Sequence, residues 1–202
     1  MPRVITPLIV ADFRKRLTDA AADLLAERGI EGFNMRELAK RLRVSPMTAY
    51  RYFKDKQEIL GELRARGFAR LGDVLEQAQA NGSGTEALQA YAGFALADPV
   101  TYRLMFDLFQ SPEPQIQELT LHQARVREIM NRLACAPDEL PEATGQLWWA
   151  SLHGSLALHF AGKLDRAAFE TALADLLDQF AHRRERAWRC HTSVPATLTA
   201  AE

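Results

Sequence analysis

A chain of 202 residues, 48% hydrophobic and 25% charged, is long enough to bury a real core without a covalent or metal staple. Its two cysteines, Cys135 and Cys190, lie far apart with no further Cys or His at metal-ligand spacing, so neither a disulfide framework nor a zinc site is suggested, and a reducing cytoplasm fits. The formal net charge of −1 conceals an asymmetry: residues 1–60 carry twelve Lys and Arg against eight Asp and Glu, and the remainder carries thirteen against eighteen.

The first ten residues contain Pro2 and Pro7 and run into Asp12-Phe13-Arg14-Lys15-Arg16, which is not the pattern of a signal peptide. No segment sustains period-2 alternation of β-branched residues, whereas apolar residues recur at i, i+3, i+4 and i+7 throughout, so the fold class is all-α. A first helix over residues 8–28 carries Phe13, Leu17, Ala20, Ala21, Leu24 and Leu25 on one stripe and stops at Gly29. Asn34-Met35-Arg36-Glu37 reads as a capping box, in which the Asn34 side chain accepts from the backbone near Glu37 and Glu37 reaches back. It opens a short helix to about Leu42. Ser45-Pro46 starts another, with Ser45 as N-cap and Pro46 at the first helical position, ending near Phe53.

Asp55 caps a long helix that continues to the loop residues Asn81-Gly82-Ser83-Gly84. Helices follow over residues 85–97, 99–109 and 113–134, the second broken from the third at Ser111-Pro112-Glu113-Pro114. The stretch from Ala143 to Gly162 has no Asp, Glu, Lys or Arg, but it contains Thr144, Gln146, Ser151, His153, Ser155 and His159. It reads as a helix buried in protein rather than in lipid, so no membrane partner is expected. Asp165 caps the last helix, which ends near Trp188. The division expected is a helix-turn-helix domain over residues 1–54, a ligand-binding and dimerisation domain over 55–188, and a disordered tail over 189–202.

Two short helices joined by Arg43-Val44-Ser45 describe a helix-turn-helix, whose second helix enters a major groove of double-stranded DNA. Leu38, Ala39, Leu42, Val44, Ala49 and Phe53 fall where the two helices pack on each other. Ser45, Met47, Thr48, Tyr50, Arg51 and Tyr52 are left on or near the outer faces. Hydroxyls and phenols suit phosphates, and the Thr and Met methyls suit thymine methyls. Between Arg36 and Lys56 stand seven basic residues and two acidic ones, the local excess that phosphate binding needs, although a solvated basic face has the same charge.

Phe33-Asn34-Met35-Arg36-Glu37-Leu38-Ala39, then Arg43-Val44-Ser45, then Ala49-Tyr50-Arg51-Tyr52-Phe53 and Lys56, resemble the DNA-binding signature of the TetR family of bacterial transcriptional regulators. The resemblance covers about fifty residues. It implies that Asn34 caps the second helix, that Arg36, Tyr50, Tyr52 and Lys56 touch the DNA backbone, and that Pro46, Met47 and Thr48 lie near bases. The chain departs from the family with Arg43 where Gly is usual in the turn, Ala49 where Leu is usual and Tyr52 where His is usual. Arg43 must take a conformation that Gly adopts more easily, and it adds a candidate phosphate contact.

Asp98-Pro99-Val100-Thr101-Tyr102-Arg103-Leu104-Met105-Phe106, Ser151-Leu152-His153-Gly154 and Ala161-Gly162-Lys163-Leu164 resemble, more weakly, a TetR-type regulatory domain with a His-Gly signature. Such domains sense ligands and form dimers, which implies a small-molecule effector of unknown identity and a homodimer on a palindromic operator, with repression favoured over activation. Tyr102, Met105, Phe106, Phe109, Trp148, Trp149 and His153 are the candidate pocket, and each is equally the kind of residue that simply fills a core. Leu152, Leu156 and Phe160 on one helix, and Phe169, Leu173, Leu176, Leu177 and Phe180 on the next, form stripes suited to a two-fold four-helix interface. No catalytic motif, metal set or cofactor motif is present, so an enzyme is the disfavoured class. A ligand-independent dimeric DNA binder would leave some 140 residues only dimerisation to do.

Overall fold

The computed structural model describes residues 7–81, 84–106, 116–133 and 141–192. Among them are nine helices and no strand: α1 (Pro7–Gly32), α2 (Met35–Arg41), α3 (Pro46–Tyr50), α4 (Lys56–Asn81), α5 (Gly84–Ala97), α6 (Pro99–Met105), α7 (Gln117–Leu133), α8 (Pro141–Phe160) and α9 (Arg166–Thr192). The all-α expectation holds, and among the described residues no helix is long and apolar enough to cross a membrane. The break expected at Ser111-Pro112-Glu113-Pro114, the loop residues Gly82 and Ser83, and the tail beyond residue 192 lie outside the described residues. Helix α9 itself runs past Trp188 to Thr192.

The helix ends follow local chemistry. Gly29 leaves helical geometry at φ 70°, as its lack of a Cβ permits, yet a further turn follows and α1 closes only at Gly32. Asp98 caps α6 by accepting from Thr101 N at 3.1 Å. Helices α2 and α8 both end in a Schellman motif. In α2, Val44 N donates to Ala39 O and Arg43 N to Lys40 O, both at 3.0 Å; in α8, Lys163 N donates to Leu158 O and Gly162 N to His159 O, both at 2.9 Å. The left-handed position is filled by Gly162 (φ 68°) in one and by Arg43 (φ 55°) in the other.

The packing forms two compact units, residues 1–70 with 98–124, and 71–97 with 125–202. This differs from a division at residue 54. The reason is in the core of the first unit, where Leu17, Leu24, Phe33, Leu38, Ala39, Ala49 and Phe53 are joined by Ile59, Leu60 and Leu63 of α4 and by Leu104 of α6. The first turns of α4 and a later short helix thus supply the apolar surface that three small helices alone lack. In the second unit α5, α8 and α9 pack together. Tyr91, Leu152, Leu156, Phe169 and Phe180 are buried there, Trp148 meets Phe180 edge-on at 5.2 Å, and His159 stacks on Phe169 at 4.9 Å. Gly145 lets α8 approach α7 closely, since a Cβ there would lie 2.5 Å from Asn131 Cα.

Candidate nucleic-acid interface

Helix α3 is short, and two local devices hold it. Ser45 Oγ accepts from Thr48 N at 3.2 Å and lies 2.9 Å from Thr48 Oγ1, while Pro46 begins the helix. Its packing on α2 uses the expected residues: Leu38, Ala39, Ala49 and Phe53 are buried, and Leu42 and Val44 pack against them half-buried. Asn34 Oδ1 accepts from Glu37 N at 2.9 Å, the forward half of the capping box, and the Glu37 carboxylate takes Arg28 Nη1 at 3.3 Å.

With Ala49 turned inward and Thr48 half-buried, α3 presents Pro46, Met47 and Tyr50 to solvent. Met47 is 74% exposed and Tyr50 48%, and Ser45 and Pro46 are exposed beside them. In the segments before and after α3, Arg36, Lys40, Arg43, Arg51 and Lys54 are all exposed. Their side chains have no ion-pair or hydrogen-bond partner among the described residues. Exposed apolar groups on a short helix, with cations free of protein partners among the described residues in the segments before and after it, add little to the fold. Such an arrangement suits a polyanion whose bases are reached between its phosphates.

The remaining expected contacts carry structural duties. Arg41 is held by Glu27 through two bonds of 2.7 and 2.8 Å, so the local basic excess is smaller than the sequence count. Lys56 is half-buried, donates to Ile30 O at 3.1 Å and lies 5.6 Å from the Phe33 ring centre. Tyr52 rests its ring on Phe13, with centroids 4.6 Å apart. Thr48 is half-buried, with its hydroxyl 2.9 Å from Ser45 Oγ.

Arg14 is the residue that sequence reasoning missed. Its guanidinium covers the Phe53 ring and donates to the Tyr52 carbonyl, to Glu58 at 3.1 Å and to Glu62. Buried Thr18 also donates to Glu62 at 3.1 Å, and Asp19 takes Arg66 at 2.6 Å, so α1 and α4 are laced together beside the end of α3. On a helical wheel Arg14 is just another polar-face cation, and its partners are 38 to 48 positions away.

Residues 17–63 match the tetR family of bacterial regulatory proteins, and residues 84–183 match the tetracyclin repressor-like C-terminal domain. The chain belongs to the TetR family. It is therefore a DNA-binding transcriptional regulator rather than an enzyme. Among curated relatives, the uncharacterized HTH-type regulator YobS of Bacillus subtilis is 25% identical over 131 residues, 63% of this chain and 62% of that protein. The HTH-type transcriptional repressor KstR of Rhodococcus jostii is 41% identical over 58 residues, 29% of this chain and 27% of that one. The match to YobS thus spans less than two thirds of that relative's length. Among solved structures, a protein of unknown function from Rhodococcus sp. RHA1 aligns with a TM-score of 0.71 and 24% identity, covering 83% of this chain and 92% of that one. Bacillus subtilis FadR, solved with stearoyl-CoA, aligns at 0.64 and 16%, covering 82% and 96%.

The residues singled out in this TetR protein's regulatory half divide between the units. Tyr102 and Met105 are buried in the first, where Phe106 meets Phe68 at 5.2 Å and Tyr102 at 4.9 Å. Trp148 is buried in the second, beside half-buried Trp149 and His153. Trp149 Nε1 donates to Tyr91 Oη at 2.9 Å, a partner that spacing does not suggest. Phe109 lies outside the described residues. Of the interface stripes, Leu152, Leu156, Phe169 and Phe180 are buried by the chain's own helices. That corrects their assignment to a partner-facing surface, because they leave no area for a second copy. Phe160, Leu173, Leu176 and Leu177 are half-exposed, and α8 adds exposed Leu147 and Leu158, which the stripes omitted.

Proposed function

We propose that this regulator is a cytoplasmic homodimeric repressor that binds a palindromic operator and leaves it when a small-molecule effector binds the regulatory half. The observation that carries the reading is that α3 exposes Met47 and Tyr50 while Arg36, Lys40, Arg43, Arg51 and Lys54 of the neighbouring segments are exposed and have no ion-pair or hydrogen-bond partner among the described residues. A five-residue helix reads few bases, so useful specificity needs two copies on two half-sites. The half-exposed Leu173, Leu176 and Leu177 of α9, with Leu147 and Leu158 of α8, supply the apolar area for that pairing. Repression is supported by the relative named as a repressor, and an effector by the FadR structure with its acyl-CoA. We place effector contact on the half-buried side of α8, where Trp149 and His153 stand one turn apart, an apolar surface with few polar groups.

Two measurements test this together. Selection from random duplex DNA is expected to enrich an inverted repeat bound by two copies, and a library of small molecules is expected to contain compounds that raise the melting temperature and release that duplex. Enrichment of a single half-site by a monomer, or ligands that stabilise the protein without affecting DNA binding, would contradict the mechanism.

A further inference from the structure

We infer that α3 reads its half-site chiefly through thymine methyl groups and not through bidentate hydrogen bonds to purines. The inference rests on the operator-binding reading above and narrows it. Bidentate recognition of guanine uses Arg or Lys, that of adenine uses Asn or Gln, and cytosine is read by Asp or Glu. From Ser45 to Tyr50 the chain has none of these. Thr48 sets its hydroxyl 2.9 Å from Ser45 Oγ, inside the helix cap, and carries a methyl on the same carbon. Met47 is 74% exposed and has no polar hydrogen to give. The cations capable of a guanine fork, Arg43 and Arg51, stand outside the helix, in the turn before it and at its C-cap. In the chain they bracket the helix, one on either side, as phosphate contacts would. An unbranched thioether and a threonine methyl on the recognition helix match the one apolar feature of the major-groove edge, the C5 methyl of thymine.

Deoxyuridine tests this directly, because it removes that methyl and leaves every hydrogen-bonding atom of the base in place. In the operator enriched by the wild-type protein, replacing the thymines of one half-site core singly by deoxyuridine is expected to weaken binding roughly fourfold at two or more positions, the worth of about one buried carbon each. Met47→Ala is expected to keep its helical content, to bind the thymine duplex several-fold less tightly, and to lose the thymine-to-deoxyuridine difference at one position. An enriched operator on which deoxyuridine binds as well as thymine throughout overturns the inference while operator recognition stands. So does a guanine-centred core whose preference disappears in Arg51→Ala or Arg43→Ala. If no sequence is enriched, the operator reading itself falls, and the inference with it.

Discussion

The Arg14 guanidinium lies 4.1 Å from the centre of the buried Phe53 ring, and the same group holds the Tyr52 carbonyl and the Glu58 and Glu62 carboxylates. One side chain of α1 therefore ties the end of the recognition helix to the start of α4. Replacing it with Ala leaves two carboxylates facing each other without their cation and an apolar ring without its cover. Arg14→Ala is expected to cost about 2 kcal/mol in denaturant unfolding of the full chain. Arg14→Lys is expected to recover less than half of that, since an ammonium cannot span the three acceptors as the planar fork does.

Arg43 offers a substitution with opposite effects on stability and binding. At φ 55° it pays a left-handed cost that Gly162 does not pay at the end of α8. Arg43→Gly is expected to stabilise the fold by about 1 kcal/mol, seen as a rise of roughly 2–4 °C in melting temperature. The same change removes an exposed cation beside α3 in each of the two copies, so DNA affinity falls and the slope of log affinity against log salt becomes shallower by about two.

Arg36 and Lys56 separate phosphate contact from scaffold. Arg36 is exposed and has no ion-pair or hydrogen-bond partner among the described residues, so Arg36→Ala is expected to weaken binding to all sequences with stability unchanged to within about 0.5 kcal/mol. Lys56 supports the Ile30 carbonyl, and Lys56→Ala is expected to lose about 1 kcal/mol of stability in addition to affinity. A Lys56→Ala protein with wild-type melting behaviour and weakened DNA binding would assign the residue to phosphate alone.

For assembly, the exposed and buried leucines of α8 give different outcomes. Leu158 is 49% exposed and Leu152 fully buried. Leu158→Glu places like charges together in the proposed two-fold interface, which costs several kcal/mol and is enough to lose a micromolar dimer. Sedimentation is expected to show a folded monomer for this variant. Leu152→Glu is expected instead to lose helical content, because its charge would enter the chain's own core.

Burial lowers the pKa of His153 below the ordinary imidazole value of 6.5. The unfolded chain then takes up the proton more readily than the folded one. The contribution of neutral His153 is fully present above pH 6.5 and is lost as pH falls below that value toward the lower folded one. Thermal unfolding between pH 7.5 and about 5 is expected to show a steeper fall in stability for wild type than for His153→Gln.

What the sequence determined by itself was local. Asn34, Ser45-Pro46, Asp55 and Asp165 mark helix starts because each cap reaches an amide only three residues on, and the inward face of the helix-turn-helix follows from helical period. Arg43 declared its own strained turn by standing where the resemblance implies glycine. Tertiary structure decided which charges and apolar stripes are free to act. Arg41 and Lys56 look like phosphate ligands in a linear count, and their partners Glu27 and Ile30 withdraw them in part. Leu152, Leu156, Phe169 and Phe180 look like an interface until the packing of α5, α8 and α9 buries them. Periodicity says which residues share a face of a helix. Only the arrival of another helix, dozens of residues away in the chain, settles whether that face meets the protein's own core, a second copy or DNA.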